Sequence, residues 1–299
     1  MSTFLLLTIT GFGLGAMYFL IASGLSLIYG LMGVLNFAHG AFISVGSYAA
    51  WWTEVHLFDG VHSDVVRFLL AGVMGLLVGG VFAALVELVL IRPLYNRHIE
   101  QVLVTVGVQL AFVSLLVGIW GPDAKTMVVP AWLHDTTTVF GAHIPNDRWI
   151  EIATAALVLA LLQLFLRRTR YGLIIRAGVE NRAMVQALGI DVRKAFTLVF
   201  AIGGIAAAIA GVLSGVYFND VSPDQGTSLL IFAFIVVVIG GLGSIGGSAF
   251  AAVLVGLTQQ YTNYYASSGV GDMVVVLLLG IVLLARPRGF AGAVVGARA

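Results

Sequence analysis

No lysine, arginine, aspartate or glutamate occurs from Met1 through Thr53, and none lies between Asp224 and Asp272. A helix needs about 20 apolar residues to cross a hydrocarbon core about 30 Å thick. Charge-free stretches of this length are bilayer material, and they restrict the chain to a multi-pass membrane protein. Composition agrees, with 60% hydrophobic and 10% charged residues against about 45–50% and about 25% in soluble domains.

Several function classes fall away. A formal net charge of +1 offers no basic field to a nucleic-acid partner. Without cysteine, disulfides, thiolate metal sites and cysteine nucleophiles are excluded, and the six histidines are scattered, so no metal site is expected. The N-terminus lacks the basic region of a signal peptide and its apolar stretch continues past Ala22, which predicts a retained membrane segment.

Apolar windows centre in 4–30, 39–53, 66–90, 101–120, 149–166, 195–217, 228–264 and 271–285. They predict an all-α polytopic fold of about eight transmembrane helices, some broken or re-entrant. The loops set its orientation. Segment 91–100 carries Arg92 and Arg97, and 167–194 carries Arg167, Arg168, Arg170, Arg176, Arg182, Arg193 and Lys194, an excess that assigns both to the cytoplasm. Glu54, Asp59, Asp64, Asp123, Asp135, Asp147, Asp220 and Asp224 fall in 54–67, 121–148 and 218–227, expected on the periplasmic side.

Arg286 and Arg288 imply an inside C-terminus, so 228–264 has to begin and end outside. It does so as two short spans broken at Gly240, Gly241, Gly243, Gly246 and Gly247, or as a hairpin turning back within the protein. Irregular backbone at membrane depth survives only where protein or a wet cavity satisfies it. The same parity gives 1–53 an outside N-terminus and a break near Asn36, Phe37, Ala38, His39 and Gly40. Glycines four apart (Gly11 and Gly15, Gly75 and Gly79, Gly211 and Gly215, Gly243 and Gly247) allow close helix approach in lipid. With no fixed repeat and no linker, 1–299 reads as one transmembrane domain.

Few features carry chemistry. Gly241 to Gly246 matches G-x-G-x-x-G, but no acidic residue follows within range and no βαβ pattern surrounds it, so dinucleotide binding is rejected. No G-x-x-x-x-G-K-[ST] run exists, so any ATP site belongs to another polypeptide. Residues Arg176 to Leu188 predict a short amphipathic helix. Ile175, Val179, Ala183 and Ala187 line one face beside Met184 and Leu188, Arg176, Glu180 and Arg182 stay in water, and Gly189 serves as a cap. That face suits either lipid headgroups or a groove on a soluble partner.

Asn36 and His39 sit amid charge-free sequence, where they have to bond within the protein, punctuate a helix or line a solute route. Glu87 lies one turn before Arg92 and is expected to pair with it at the interface rather than relay protons. Gln259, Gln260, Tyr261, Asn263, Tyr264 and Tyr265 read as an aromatic belt. In 121–148, alternation through Thr137, Val139 and Phe140 before Gly141 predicts a small hairpin lying on the membrane surface, a candidate docking point for a soluble partner.

The run Gly30-Leu31-Met32-Gly33-Val34-Leu35-Asn36-Phe37-Ala38-His39-Gly40, followed by Gly46-Ser47-Tyr48, resembles the N-terminal signature of LivH-type branched-chain amino acid permeases. The resemblance continues through Arg92-Pro93-Leu94, Arg176-Ala177, Asn181, Ala187-Leu188-Gly189-Ile190 and Gly240 to Gly247, covering nearly the whole chain. It implies a permease subunit of an ATP-driven ABC importer for branched-chain amino acids or related small polar solutes, in a bacterial inner membrane. It further implies a second related permease, two ATPase subunits that hold ATP and Mg, and a periplasmic solute-binding protein.

By that resemblance 167–194 is the coupling loop. Arg176, Val179, Glu180, Asn181, Ala183, Ala187, Leu188 and Gly189 would seat on the ATPase, and Asn36, Phe37 and His39 are candidates for the translocation path. The broader E-A-A-x-x-x-G loop is matched only in part, because Asn181 and Arg182 follow Glu180 and no Leu-Pro follows Gly189. The main rival is an ion-coupled secondary transporter or channel acting without an ATPase, and a third reading is a membrane-embedded enzyme using groups such as His39. Apart from Glu87, no carboxylate is expected near the midplane, which counts against ion coupling. Nothing in the chain predicts catalysis of its own.

Overall fold

The computed structural model describes residues 2–95, 97–187, 189 and 191–291, without the side chains of 179–183, 186 and 187. Its helices are α1 (Ser2–Met32), α2 (His39–His56), α3 (Asp64–Val86), α4 (His98–Trp120), α5 (Ala131–His134), α6 (Asn146–Arg168), α7 (Arg170–Ala187), α8 (Val192–Phe218), α9 (Gln225–Gly240), α10 (Ile245–Tyr265) and α11 (Val270–Ala285). A π turn over Glu87–Ile91 and a 3₁₀ turn over Arg92–Leu94 extend α3. The sole sheet among the described residues is a hairpin of β1 (Thr136–Val139) and β2 (Ala142–Pro145), paired from Thr136 with Pro145 to Val139 with Ala142.

α1 and α8 form the centre. A helix that is apolar all round belongs inside, and α1 is buried along most of its length, with Met17, Leu20, Ile21 and Ala22 inaccessible. Around this pair pack α2, α3, α9 and α10, with α4, α6 and α11 outermost. The outer helices turn leucines and valines outward. On α3, Leu69, Val73, Leu77, Val81 and Leu85 fall at four-residue steps and all stand exposed, a stripe that only hydrocarbon can cover at low cost.

Five helices (α1, extended α3, α4, α6 and α8) are long and apolar enough to cross a membrane, or six spans if α9 and α10 count as one bent by 117°. This is fewer than the expected eight. α2 has 18 residues but a large polar share, and α11 has 16, about 24 Å of helix. The chain is a multi-pass, all-α membrane protein with a sharply bent helix pair.

Charge separates along the bundle axis. At one end gather the close of α1, the Arg92 turn, α7, the start of α8, the turn at 241–244 and residues 286–291, where Arg92 reaches Thr197, Gly178 meets Leu31 and Phe290 N–H donates to Ile239. This end holds most of the arginines. At the other end Glu54 accepts from Val128 N–H, Lys125 bridges to Val221 and Tyr261 meets Phe4, among most of the carboxylates.

The hairpin reverses through Phe140 (φ +48) and Gly141 (φ +81), the two positive dihedrals of a type I′ turn. Ile144 and Ala142 anchor it in the protein while Phe140 stands 93% exposed at the tip.

Close backbone contact holds the bundle together. A Cβ at Gly15 would sit 2.7 Å from the Ala252 carbonyl, and Gly256 faces Gly15 from the opposite helix. Gly75 and Gly79 let α3 approach α2 and α8 in the same way. Gly15→Leu is expected to force α1 from α10 and lower the melting temperature of the detergent-solubilised protein steeply, a loss of at least about 3 kcal/mol. Gly280→Ala, where an added Cβ meets nothing within 4 Å, is the control and should melt like the parent.

Candidate functional site

α1 stops where Gly33 adopts φ +68, and the chain runs without helix through 33–38 before α2 begins at His39. The interior surrounds this break. Asn36 is 3% exposed and His39 fully buried. His39 Nε2 lies 3.0 Å from the Ile21 carbonyl, which can only accept, so Nε2 donates and Nδ1 is left without a partner. The ring packs edge-on against Phe42 and fills the space beside Gly24.

Phe37 turns elsewhere. Its N–H donates to Thr105 Oγ1 at 3.2 Å and its ring stacks on Phe234 of α9 at 6.2 Å. Asn36 shares a cavity of about 10 Å³ with Gln101 and Thr105 of α4, walled by Ile28, Met32, Ile91 and Phe200. The three residues expected near a solute route thus divide. Asn36 and Phe37 meet α4 and α9, whereas His39 is a pin between α1 and α2.

The start of α9 meets the start of α2. Gly226 N–H donates to Ser44 Oγ (3.2 Å), and Ser44 Oγ donates to the Pro223 carbonyl (3.0 Å). Gly226 lies so close to Gly40 that neither tolerates a side chain. Gln109 of α4 spans both starts, its Nε2 donating to Thr227 Oγ1 at 2.8 Å while its Oε1 lies against Gly40. Sequence reasoning missed Gln101, Thr105 and Gln109. Their signal was a polar residue every four positions through an otherwise apolar helix, which places all three on one face.

At the arginine-rich end, Glu87 is wholly buried and receives four groups. Arg92 approaches through Nε (3.3 Å) and Nη2 (3.4 Å), Thr197 Oγ1 donates at 2.6 Å, and the Tyr95 hydroxyl donates as well. Arg92 Nη2 also reaches Thr197 Oγ1 at 2.8 Å. The π turn supplies this geometry, because its wider winding brings residues five apart onto one edge. Burial, reinforced by the Glu87 carboxylate, pushes the Tyr95 phenol up, so it keeps the proton it donates. The expected pair exists, but as a buried clamp between α3 and α8 rather than an interfacial anchor.

α7 begins at Arg170, earlier than the 176–188 expected, with only Thr169 between it and α6. Ile175 and Val185 are buried and Gly178 rests on Leu31, so the bundle itself covers part of the apolar face. Arg176 is exposed and lines a cavity of about 150 Å³ with Leu27, Gly30, Leu166, Gly243 and Ile245. Gly189 has φ +75, suited to a helix cap. Leu188 and the side chains of Val179, Glu180, Asn181, Ala183 and Ala187 lie outside the described residues.

Beside this cavity the chain reverses. α9 ends at Gly240, Gly241 (φ +101) and Gly243 (φ +81) make the turn, and Ser244 caps α10 by accepting from Gly247 N–H at 3.1 Å. Gly246 opens α10 with nothing near its α-carbon, whereas Gly247 packs against the Gly240 carbonyl. Two further networks were not foreseen. Tyr18 donates to Gln259, which donates to Asp272, so Gln259 is an internal tie and not part of a belt. Arg148 pairs with Glu151 and Asp147 and lies 3.5 Å over the Tyr217 ring.

The family described as "Branched-chain amino acid transport system / permease component" matches residues 7–285. The chain belongs to this permease family. The high-affinity branched-chain amino acid transport system permease protein LivH of Salmonella typhimurium is 30% identical, over 94% of this chain and 93% of that protein. BraD of Pseudomonas aeruginosa, of the same description, is 32% identical over 95% and 94%. LivM of Escherichia coli, also a permease protein of such a system, is 27% identical over 91% of this chain and 69% of its own length.

In this permease the Glu87 clamp makes a testable claim. Arg92→Leu strands a buried carboxylate and is expected to cost roughly 2 kcal/mol, below the full penalty because Arg92 is partly exposed. Adding Glu87→Gln should recover much of that loss, as thermal unfolding in detergent will read out.

Proposed function

We propose that this chain is a permease subunit of an ATP-driven ABC importer that carries branched-chain amino acids or related small polar solutes into the cytoplasm. The observation carrying this is the family match over 7–285, with relatives named as branched-chain amino acid transport permeases along nearly their whole length. The chain supplies the transmembrane domain. ATP and Mg belong to two partner ATPase subunits, a second related permease completes the pore, and a periplasmic binding protein delivers solute at the carboxylate-rich end. Membership of this family favours a bacterial inner membrane, with 121–148 periplasmic and 167–194 in the cytoplasm.

α7 is the coupling helix in this reading, with Arg176, Val179, Glu180, Asn181, Ala183, Ala187, Leu188 and Gly189 at the ATPase. Its supports are its place at the arginine-rich end and its packing on α1, α6 and α8, the elements through which a displacement would pass into the bundle. The cavity beneath Arg176 leaves room for α7 to shift toward the glycine turn. Asn36 and Phe37 line the solute route, and His39 holds the half-helix that presents them.

Reconstitution tests this. ATP-dependent uptake of leucine should require both permeases, the ATPases and the binding protein, whereas flux through this chain alone would favour a channel or secondary transporter. Ala183→Trp and Ala187→Trp are expected to abolish co-purification of the ATPase while membrane insertion stays intact, and unchanged uptake in both would remove the coupling assignment. Asn36→Leu should slow uptake roughly tenfold, about 1.4 kcal/mol of barrier, without dissociating the complex.

A further inference from the structure

Buried side-chain polar atoms are almost always paired, and leaving them unpaired costs stability. Along the inner face of α4 this protein leaves a row unpaired. Gln101 Nε2 donates to the Leu94 carbonyl at 2.6 Å and its Oε1 has no partner. Gln109 Nε2 is taken by Thr227 and its Oε1 has none. Across from them both amide atoms of Asn36 are unpartnered, and so is Gln225 Oε1 at the start of α9. All four residues are at least nine-tenths buried.

The chemistry of the row is mostly that of an acceptor, the Asn36 amide nitrogen being its one unpartnered donor. Gln101 and Gln225 have their NH₂ groups on carbonyls, which can only accept, so what projects is oxygen. A row of acceptors in a dry interior calls for a ligand rich in N–H donors. It is also carried by an outer helix with little packing against the bundle. α4 buries a single narrow face, Gln101, Thr105, Val108, Gln109 and Leu116, while Leu103, Leu110, Leu115 and Ile119 point out of the bundle. The cavity at Asn36 and Gln101, about 10 Å³, holds about one water, so this part of the row has no room for a solute in this conformation.

We propose that Gln109 forms a station for the ammonium group of a zwitterionic amino acid passing between α2, α4 and α9, that Gln101, two turns along α4, and Asn36 across from it line the onward route, and that α4 is the wall that moves to admit it. This rests on the transport reading above and adds where the solute is held and by which end. Gln109 is central because its oxygen lies at the first turns of α2 and α9, whose positive ends suit the carboxylate of the same zwitterion while the oxygen takes its ammonium.

The test uses the complete importer in proteoliposomes with ATP, reading leucine uptake, ATP hydrolysis stimulated by the loaded binding protein, and melting temperature. Gln109→Leu should lower uptake at least tenfold with hydrolysis and melting unchanged. Gln109→Glu, which keeps acceptor oxygens, should retain at least half of parental uptake, and Gln109→Lys, which offers only donors, should be as poor as leucine. Parental uptake in Gln109→Leu, or equal uptake by the lysine and glutamate variants, overturns the station. So does a joint fall of uptake, hydrolysis and melting temperature that glutamate does not repair, which is the mark of a packing residue. A complete parental importer that takes up no leucine sinks the transport reading itself, whereas a transporting parent with a transporting Gln109→Leu sinks only the station.

Discussion

Inside hydrocarbon no water is available to complete a backbone hydrogen bond, so each departure from helix has to be enclosed by protein. The architecture follows from where this chain departs. The break at 33–38 is enclosed at Val34, Asn36 and Ala38, and the turn at 241–244 lies at the arginine-rich end, with Gly241 buried and Leu242 exposed. α1 and α8 occupy the centre, and α2 and α9, the helices that start from irregular backbone, are placed so that each shelters the other's first turn through Gly40, Ser44 and Gly226.

That enclosure depends on small residues. Hydrocarbon supplies no hydrophobic force between helices, so cohesion has to come from contact area and from polar ties. Glycine permits the first, at Gly15 with Gly256 and at Gly75 with Gly46. The ties are few and concentrated, in the Glu87 clamp, the Tyr18–Gln259–Asp272 chain and the Arg148 cluster. Each reaches a buried group, Glu87, Gln259 or Glu151, so one substitution there removes a pairing that solvent replaces poorly.

The interior is not uniformly satisfied. Unpaired oxygens on α4 stand beside the first turns of α2 and α9, and other unpaired atoms, such as His39 Nδ1, Ser26 Oγ and Ser248 Oγ, are scattered through the bundle. A transporter has to offer its solute partners in place of water yet release it, and groups already saturated by their neighbours could do neither. The row begins at the arginine-rich end, where Gln101 bonds to Leu94 in the Arg92 turn and α7 is laid against α1, α6 and α8.

Charge-free runs alone determined that the chain is an all-helical membrane protein, because no other reading survives the cost of burying so much apolar surface in water. The spacing of Arg92, Arg167, Arg168 and Arg170 against Glu54, Asp59 and Asp123 foretold charge separation along the bundle, and the run Asn36 to Gly40 and the glycines from Gly240 to Gly247 marked the breaks, the first a few residues late because Gly33 already ends α1. Sequence also predicted the hairpin ahead of Gly141, although Phe140, counted there in the alternating run, belongs to the turn. Only the tertiary structure decided which helices are central, that His39 faces α1 while Asn36 faces α4, and that Ile175 is used by the bundle itself. The physical reason is that hydropathy reports which solvent a side chain prefers, whereas a pairing such as Gln109 with Thr227 or Glu87 with Thr197 depends on crossings between helices more than 100 residues apart, to which one-dimensional periodicity is blind.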